Sequence, residues 1–281
     1  MQITKYNREF QNIDTVEKAY VLGLIYSDGY IQSINNKSYC STICLHENDK
    51  YLLEKIQKIF TFYKLVYYKE KTAYKLVCTC KQLCLDLYAN GVYPRKSYEN
   101  KIHLHVPNID ISLIPHFIRG YFDGDGSVYR QKLGNTKIEI GGTSFSLITE
   151  LIKILYDNRI TVNLKCKYAG EGLRKQDFYV LYTSSDKVSK LFANYIYQNK
   201  GDLYLVRKYE KLYFIPAYNN KERLICPICG SANTVYNSIR QMKHGSMQRG
   251  VCKDCNKHFS IPITAPLNSN IQSGEDELLE D

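Results

Sequence analysis

Tryptophan is absent from this 281-residue chain, and it contains only three methionines and seven prolines. No apolar run approaches the ~18 residues needed to cross a bilayer, which sets aside an integral membrane protein. The opening stretch, MQITKYNREFQNID, has no apolar core behind its charges and does not read as a secretory signal. With tryptophan missing, 26 tyrosines dominate the aromatic content, and with much Asn, Lys and Ile they fit an AT-rich coding sequence. The 44 % hydrophobic fraction is ordinary for a folded protein. The length suits about two domains.

Acid is the scarcer charge, with 28 Asp and Glu against 38 Lys and Arg. Five of those acids fall in the last seven residues, so the preceding 274 carry 38 bases against 23 acids, or +15. So basic a body is expected to seek polyanions, since each neutralised phosphate releases counterions. Surplus surface lysine is the plainer reading of the same number. Four of the ten cysteines form two CxxC pairs; the other six (Cys40, Cys44, Cys78, Cys80, Cys84, Cys166) are scattered beside apolar residues. That placement suits free thiols in a reducing, intracellular and cytoplasmic setting better than disulfides.

What the chain does have is an internal repeat. VLGLIYSDG at 21–29 recurs as IRGYFDGDG at 118–126, with Asp28 on Asp125 and Gly23 on Gly120. After each copy come two strand-like runs, a helix-like stretch (Asp49 to Phe62 in the first half), two more strands and another helix, so each half reads αββαββα. In 162–168, Val162, Leu164, Cys166 and Tyr168 share one face, and Asn163, Lys165 and Lys167 the other. Four such strands per half predict an antiparallel sheet with one face on the core and a basic, amide-rich face outside. Most polar strand faces are merely solvated, so the pattern alone names no ligand.

The motif segments read as helices. Asp14 with Glu17 resembles a capping box, and Pro115 suits a first turn. Glycine inside a helix costs about 1 kcal/mol against alanine, so Gly23 and Gly120 predict a close backbone approach. Two helices crossing at these glycines would leave Asp28 and Asp125 side by side. DGDGS also opens like a calcium loop, but the sixth position from Asp123 is Val128 and the twelfth Gly134, so that reading fails.

These residues resemble the two motifs of monomeric LAGLIDADG homing endonucleases, with KAYVLGLIYSDGYI, GVYPRKS, IPHFIRGYFDGDGSV and LYLVRKYEKLY extending the match over about 14–215. The first copy departs at Tyr26 and Ser27, the second at Arg119, Tyr121 and Phe122. The resemblance implies an α+β fold of two pseudo-symmetric half-domains with saddle-shaped antiparallel sheets, a monomer acting on double-stranded DNA. It implies that Asp28 and Asp125 bind catalytic Mg²⁺, with main-chain carbonyls of Ser27 and Gly124 adding contacts, and that Lys96 and Lys208 stand near the scissile phosphates. Solvated lysines or phosphate contacts are an equal reading of those two. Candidate DNA contacts on strand faces and hairpins are Gln32, Lys37, Lys69, Lys75, Arg130, Lys132, Lys137, Lys165, Lys167, Arg174 and Lys175. The implied activity is site-specific, metal-dependent double-strand cleavage at a long site, serving intron mobility. A non-cleaving binder, an RNA maturase or DNA regulator, is the alternative the same fold offers.

Beyond residue 221, Cys226-Pro-Ile-Cys229 and Cys252-Lys-Asp-Cys255 can supply four thiolates to one structural Zn²⁺. Redox pairs are less expected from two CxxC motifs in so small a module. The text is similar to zinc ribbons appended to transposases, and it could grip flanking DNA, bind protein or stabilise the C-terminus. The expected boundaries are 14–105 and 106–218 for the halves, 222–262 for the ribbon and 263–281 for a disordered acidic tail.

Overall fold

The computed structural model describes residues 4–32, 39–94, 104–131, 135–170, 176–213, 225–242 and 245–262. The chain divides into two compact units, one ending at Tyr218 and the other holding the C-terminal cysteine module. In the first unit, α1 (Val16–Asp28), β1 (Gly29–Ile31), β2 (Ser41–His46), α2 (Lys50–Ile59), β3 (Lys64–Tyr68), β4 (Ala73–Cys78) and α3 (Lys81–Ala89) make one half. The second half follows as α4 (Ile114–Asp125), β5 (Gly126–Arg130), β6 (Thr136–Gly142), α5 (Phe145–Asp157), β7 (Asn163–Lys167), β8 (Phe178–Thr183) and α6 (Asp186–Tyr197). A further helix, α7 (Val206–Tyr213), has no counterpart among the described residues of the first half.

Each half carries the αββαββα order and one four-stranded sheet, β1-β2-β4-β3 and β5-β6-β8-β7, antiparallel throughout. Ile31, Ile43, Leu45 and Leu76 bury one face of the first sheet, and Val128, Ile138, Ile140 and Leu181 one face of the second. They join a single core with the helices.

α1 is buried on every side from Ala19 to Tyr26, because it packs along α4 inside this core. The crossing depends on glycine. A Cβ on Gly23 would fall far inside contact distance of the Phe117 carbonyl, and one on Gly120 would meet the Tyr20 carbonyl.

Local details correct two readings. The N-cap of α1 is Thr15, whose hydroxyl accepts from the Lys18 amide, and not Asp14, which pairs with the Lys18 ammonium at 2.7 Å. α2 stops at Ile59, short of Phe62, because Phe60 turns out of helical geometry (φ −107°, ψ 78°). Phe60 and Phe62 then pack with Phe10 at ring separations of 5.2 and 6.4 Å. Here core burial of aromatics outweighs helical propensity.

The segment after α6 is tied into both halves. Arg207 forks onto buried Asp49 at 3.0–3.2 Å, and the Val206 amide donates to the Tyr51 hydroxyl at 2.7 Å. All ten cysteines are unbridged. No helix among the described residues is long and apolar enough to cross a membrane.

The second unit is a three-stranded antiparallel sheet, β9 (Thr234–Met242), β10 (Gly245–Cys252) and β11 (His258–Pro262), in the order β11-β10-β9. Among the residues whose burial is described, its buried centre is Cys226, Cys252 and Phe259, with Cys255 and Ile261 against them.

Candidate metal and nucleic-acid sites

The glycine crossing sets where the two motif helices end. α1 closes on Asp28 and α4 on Asp125, and each is followed by a glycine that starts a strand. Gly124 leaves room for the other helix end: a Cβ there would collide with the Ser27 side chain and lie 2.9 Å from Asp28 Oδ2. The Ser27 hydroxyl turns back to the Leu24 carbonyl at 3.0 Å, leaving its own carbonyl at the helix end. Beside them a cavity of about 210 Å³ is lined by Tyr26, Ser27, Tyr121, Asp125 and the strand end Gly141–Ser144. Carboxylate and carbonyl oxygens are the donors that Mg²⁺ takes, and the missing side chain at Gly124 lets Ser27 and the Asp28 carboxylate come up against the end of α4.

Lys208 lies beneath this site with 4 % of its surface exposed. Its ammonium donates to the carbonyls of Phe122, Asp123 and Gly124 at 2.7, 2.6 and 3.1 Å. Burial draws its pKa down to about 8, and nearby Asp123, Asp28 and Asp125 oppose that while Arg207 adds to it. Lys208 is thus engaged with the end of α4, including the Gly124 carbonyl named above as a metal contact. Lys96 lies outside the described residues.

The sequence reading missed the network behind Lys208. Asp123 is 1 % exposed and accepts from the Tyr20 hydroxyl at 2.8 Å, the Tyr197 hydroxyl at 3.2 Å and the Leu205 amide at 2.8 Å. Burial pushes its carboxyl up to about 6 against the pull of Lys208 and these donors. Arg119, fully buried one turn earlier, donates to the carbonyls of Leu203, Ile196 and Lys200 at 3.1, 3.0 and 3.2 Å. The available signal was two charged residues, four apart, where the first copy has Leu22 and Tyr26. Tyr26 does a related job in its own half, donating to the Asn90 carbonyl at 2.8 Å.

The outward sheet faces hold several of the candidate DNA contacts. Lys75 stands opposite Cys44 and Val66 and lies 3.3 Å from the centre of the Tyr68 ring. Burial raises the Cys44 thiol, which Lys75 lowers and Asp28 raises, so these three groups share one neighbourhood. In the second sheet, Lys165 and Lys167 share the outward face with Lys137, whose charge is paired to Glu139 at 2.6 Å. Lys69 sits in the turn joining β3 to β4, and Gln32 follows β1. Arg130 shares its strand face with buried Val128, so it belongs to the helix side of the sheet and reaches solvent only at the strand end. Lys37, Lys132, Arg174 and Lys175 lie outside the described residues. Exposed Tyr30, Val66 and Tyr129 add apolar and aromatic surface that the charge count did not reveal.

In the second unit, the sulfurs of Cys226, Cys229, Cys252 and Cys255 all lie within 4.8 Å of one another. Cys226–Cys255 and Cys229–Cys252 are 3.8 and 3.6 Å apart. Four thiolates each about 2.3 Å from one zinc ion form a tetrahedron with edges of about 3.8 Å, so the cluster fits Zn²⁺ as it stands. Cys252 and Cys229 titrate as a pair: the backbone amide of Cys255 helps to draw the Cys252 thiol down to about 7, while, against the backbone bond from Ser231, the hydrogen bond between the two sulfurs helps to push Cys229 up to about 12.

Residues 15–83 and 113–196 match the family described as LAGLIDADG-like domain. Among solved structures, the chain is similar to the homing endonuclease I-WcaI bound to its DNA recognition sequence: 16 % identity over 75 % of this chain and 95 % of that one, TM-score 0.47. It is also similar to the LAGLIDADG meganuclease I-AabMI bound to uncleaved DNA, at 16 % identity over 69 % and 86 %, TM-score 0.46. I-DmoI in complex with DNA and Ca follows at 19 % over 64 % and 88 %, TM-score 0.44. No curated protein matches.

Proposed function

Because the chain belongs to the LAGLIDADG-like domain family and carries two copies of the domain, we propose that it is a divalent-metal-dependent endonuclease that cuts both strands of duplex DNA at a long, specific site. The observation that carries this reading is the convergence of Asp28 and Asp125 at the ends of two helices crossed at glycine. A pure binder needs no such pair of carboxylates. Two halves related by pseudo-symmetry suit the dyad of a duplex, one half per strand.

Asp28 and Asp125, with the Ser27 and Gly124 carbonyls, would hold Mg²⁺. When bound, the metal supplies charge stabilisation to the attacking and leaving oxygens of phosphodiester hydrolysis. Lys208 fixes the carbonyls that end α4 and adds positive charge behind the site. Outward-facing Lys75, Lys165 and Lys167 would contact phosphates or bases, while Tyr30, Val66 and Tyr129 offer apolar contact to base edges.

The halves would span 14–105 and 106–218 and act as a monomer inside the cell, followed by a ribbon at 222–262 and an acidic tail. Zn²⁺ on the four cysteines would hold the ribbon folded, giving the nuclease a second grip on flanking duplex. Cleavage at an insertion site would serve the mobility of the gene or of a host intron.

The test uses purified protein, Mg²⁺ and a randomised duplex library, with cut ends recovered by sequencing. A single long consensus should emerge, lost with EDTA and with Asp28→Asn or Asp125→Asn, whose DNA binding should persist. Recovery of the same consensus from both variants would sink the metal assignment.

A further inference from the structure

The start of α7 and the end of α4 are clamped together at two points, and Asp123 makes the first. The Leu205 amide donates to Asp123 Oδ2 at 2.8 Å, while the Leu205 carbonyl accepts from the amides of Lys208 and Tyr209 at 3.1 and 3.0 Å. Leu205 is therefore the residue from which α7 begins. One turn later, the Lys208 ammonium returns to the α4 carbonyls of Phe122, Asp123 and Gly124.

We infer that Asp123 is a positioning residue for the second half: by fixing Leu205, just before α7, it sets where the Lys208 ammonium meets the end of α4 beside Asp125. A lysine side chain has four flexible bonds, so its burial in one pose requires its backbone to be held. Arg119 holds the segment only as far as Leu203, while the Val206 amide and Arg207 tie the start of α7 to Tyr51 and Asp49 of the first half, so Asp123 makes the tie of that start to the end of α4. Tyr20 and Tyr197 donate to Oδ2 and Oδ1 of Asp123, which holds the carboxylate turned toward Leu205. The device is one-sided: the first copy of the motif has Tyr26 at this position, bonded to Asn90 of its own half. Loss of the Asp123 contact should therefore slow the cut made by one half only.

The catalytic readout rests on the nuclease reading above, so the test has a second arm that does not. Wild type, Asp123→Leu, Asp123→Asn, Lys208→Met and the double variant Asp123→Leu/Lys208→Met are compared on supercoiled plasmid carrying the library-derived site, with each strand followed separately. Backbone hydrogen exchange of residues 205–209 is measured on the protein alone. Asp123→Leu should accumulate nicked circles, one strand being cut at the parental rate and the other roughly tenfold or more slowly. The slow strand should be the one that Lys208→Met slows, and the double variant should be no worse than Lys208→Met. Asp123→Asn keeps an oxygen for the Leu205 amide and the Tyr20 hydroxyl, so it should restore both the slow cut and the protection of Leu205. Asp123→Ser, too short to reach that amide, stands in if the leucine variant does not fold. Equal slowing of both strands, or an asparagine variant as harmful as leucine, overturns the inference. If the wild type cuts no DNA, the nuclease reading alone fails; unchanged exchange at Leu205 in the leucine or serine variant then overturns the inference on its own.

Discussion

The hydroxyl of Tyr20, on the first motif helix, donates to the carboxylate of Asp123 on the second at 2.8 Å, with both residues almost wholly buried. It is a polar tie across the helix contact, beside the Arg119 guanidinium 5.0 Å from the centre of the Tyr20 ring, and its donor can be removed without changing the shape of the ring. Tyr20→Phe should cost about 1.5–3 kcal/mol, the usual loss when a buried hydrogen bond to a charged group is deleted. Urea unfolding should show a lower midpoint at unchanged slope. An unchanged midpoint would mean that the bond contributes nothing to stability.

Gly23→Ala and Gly120→Ala each drive a methyl group into a backbone carbonyl of the partner helix, where no rotamer change can make room. Each should destabilise by about 3 kcal/mol or more, at the upper end of what overpacking costs. Both should also weaken metal-dependent cutting, since the helices end at the carboxylates. Wild-type stability in either variant would disprove the close crossing.

Asp86 gives the first half an acid-sensitive anchor. Burial works against its ionisation, but hydrogen bonds from Arg8, Tyr6 and Gln82 outweigh that and hold its pKa below the ordinary 3.8. A carboxyl depressed in the folded state contributes stability that is complete above its unfolded pKa and is lost as pH falls through its folded one. Asp86→Asn should therefore destabilise at pH 7, by about 1–3 kcal/mol. The gap to wild type should close as the pH drops below about 3.8. A gap that stays constant down to the lowest folded pH would remove the ionised carboxylate from the account.

The ribbon should depend on its metal. Among the residues whose burial is described, its buried centre is three residues, far too little to offset chain entropy without a crosslink. Cys226→Ser should release zinc and unfold residues 226–262, with no effect on the melting of the nuclease body. A chain ending after Tyr218 should still cut but bind DNA with a shallower salt dependence. Elemental analysis and affinities at two salt concentrations decide both points. Zinc-free protein with an ordered ribbon would refute the metal, and an unchanged salt slope would refute the DNA contact.

The two carboxylates and the helix crossing were legible because they are repeated: a second Gly and a second Asp at 97-residue spacing turn weak local signals into one pattern. The sheets were legible for a related reason, since alternation needs no partner to be read, although along 162–168 Leu164 and Tyr168 stay exposed because β7 is an edge strand. Arg119 and Asp123 were not, because a charged side chain on an apolar helix declares its acceptors only when the chain from 196 to 205 folds back onto it. The α1 cap was misplaced by one residue, as both Asp14 and Thr15 are good cap residues and only the backbone turn at Thr15 decides between them. The end of α2 carried no stop signal at all, being set by the pull of Phe60 and Phe62 into the core.

The glycine contact between α1 and α4 is nearly self-complementary: Gly23 meets the carbonyl of Phe117 and Gly120 that of Tyr20, which is itself the counterpart of Phe117 in the repeat. Two identical copies of either half could pair through it. The polar ties could not survive such a swap, for two first halves would set Tyr20 against Tyr26 with no carboxylate between them. In recombination terms, the crossing works as a universal coupling and the Tyr20–Asp123 bond as its key. Chimeras that join this first half to the second half of a relative should assemble in proportion to how well that relative supplies the missing acceptor.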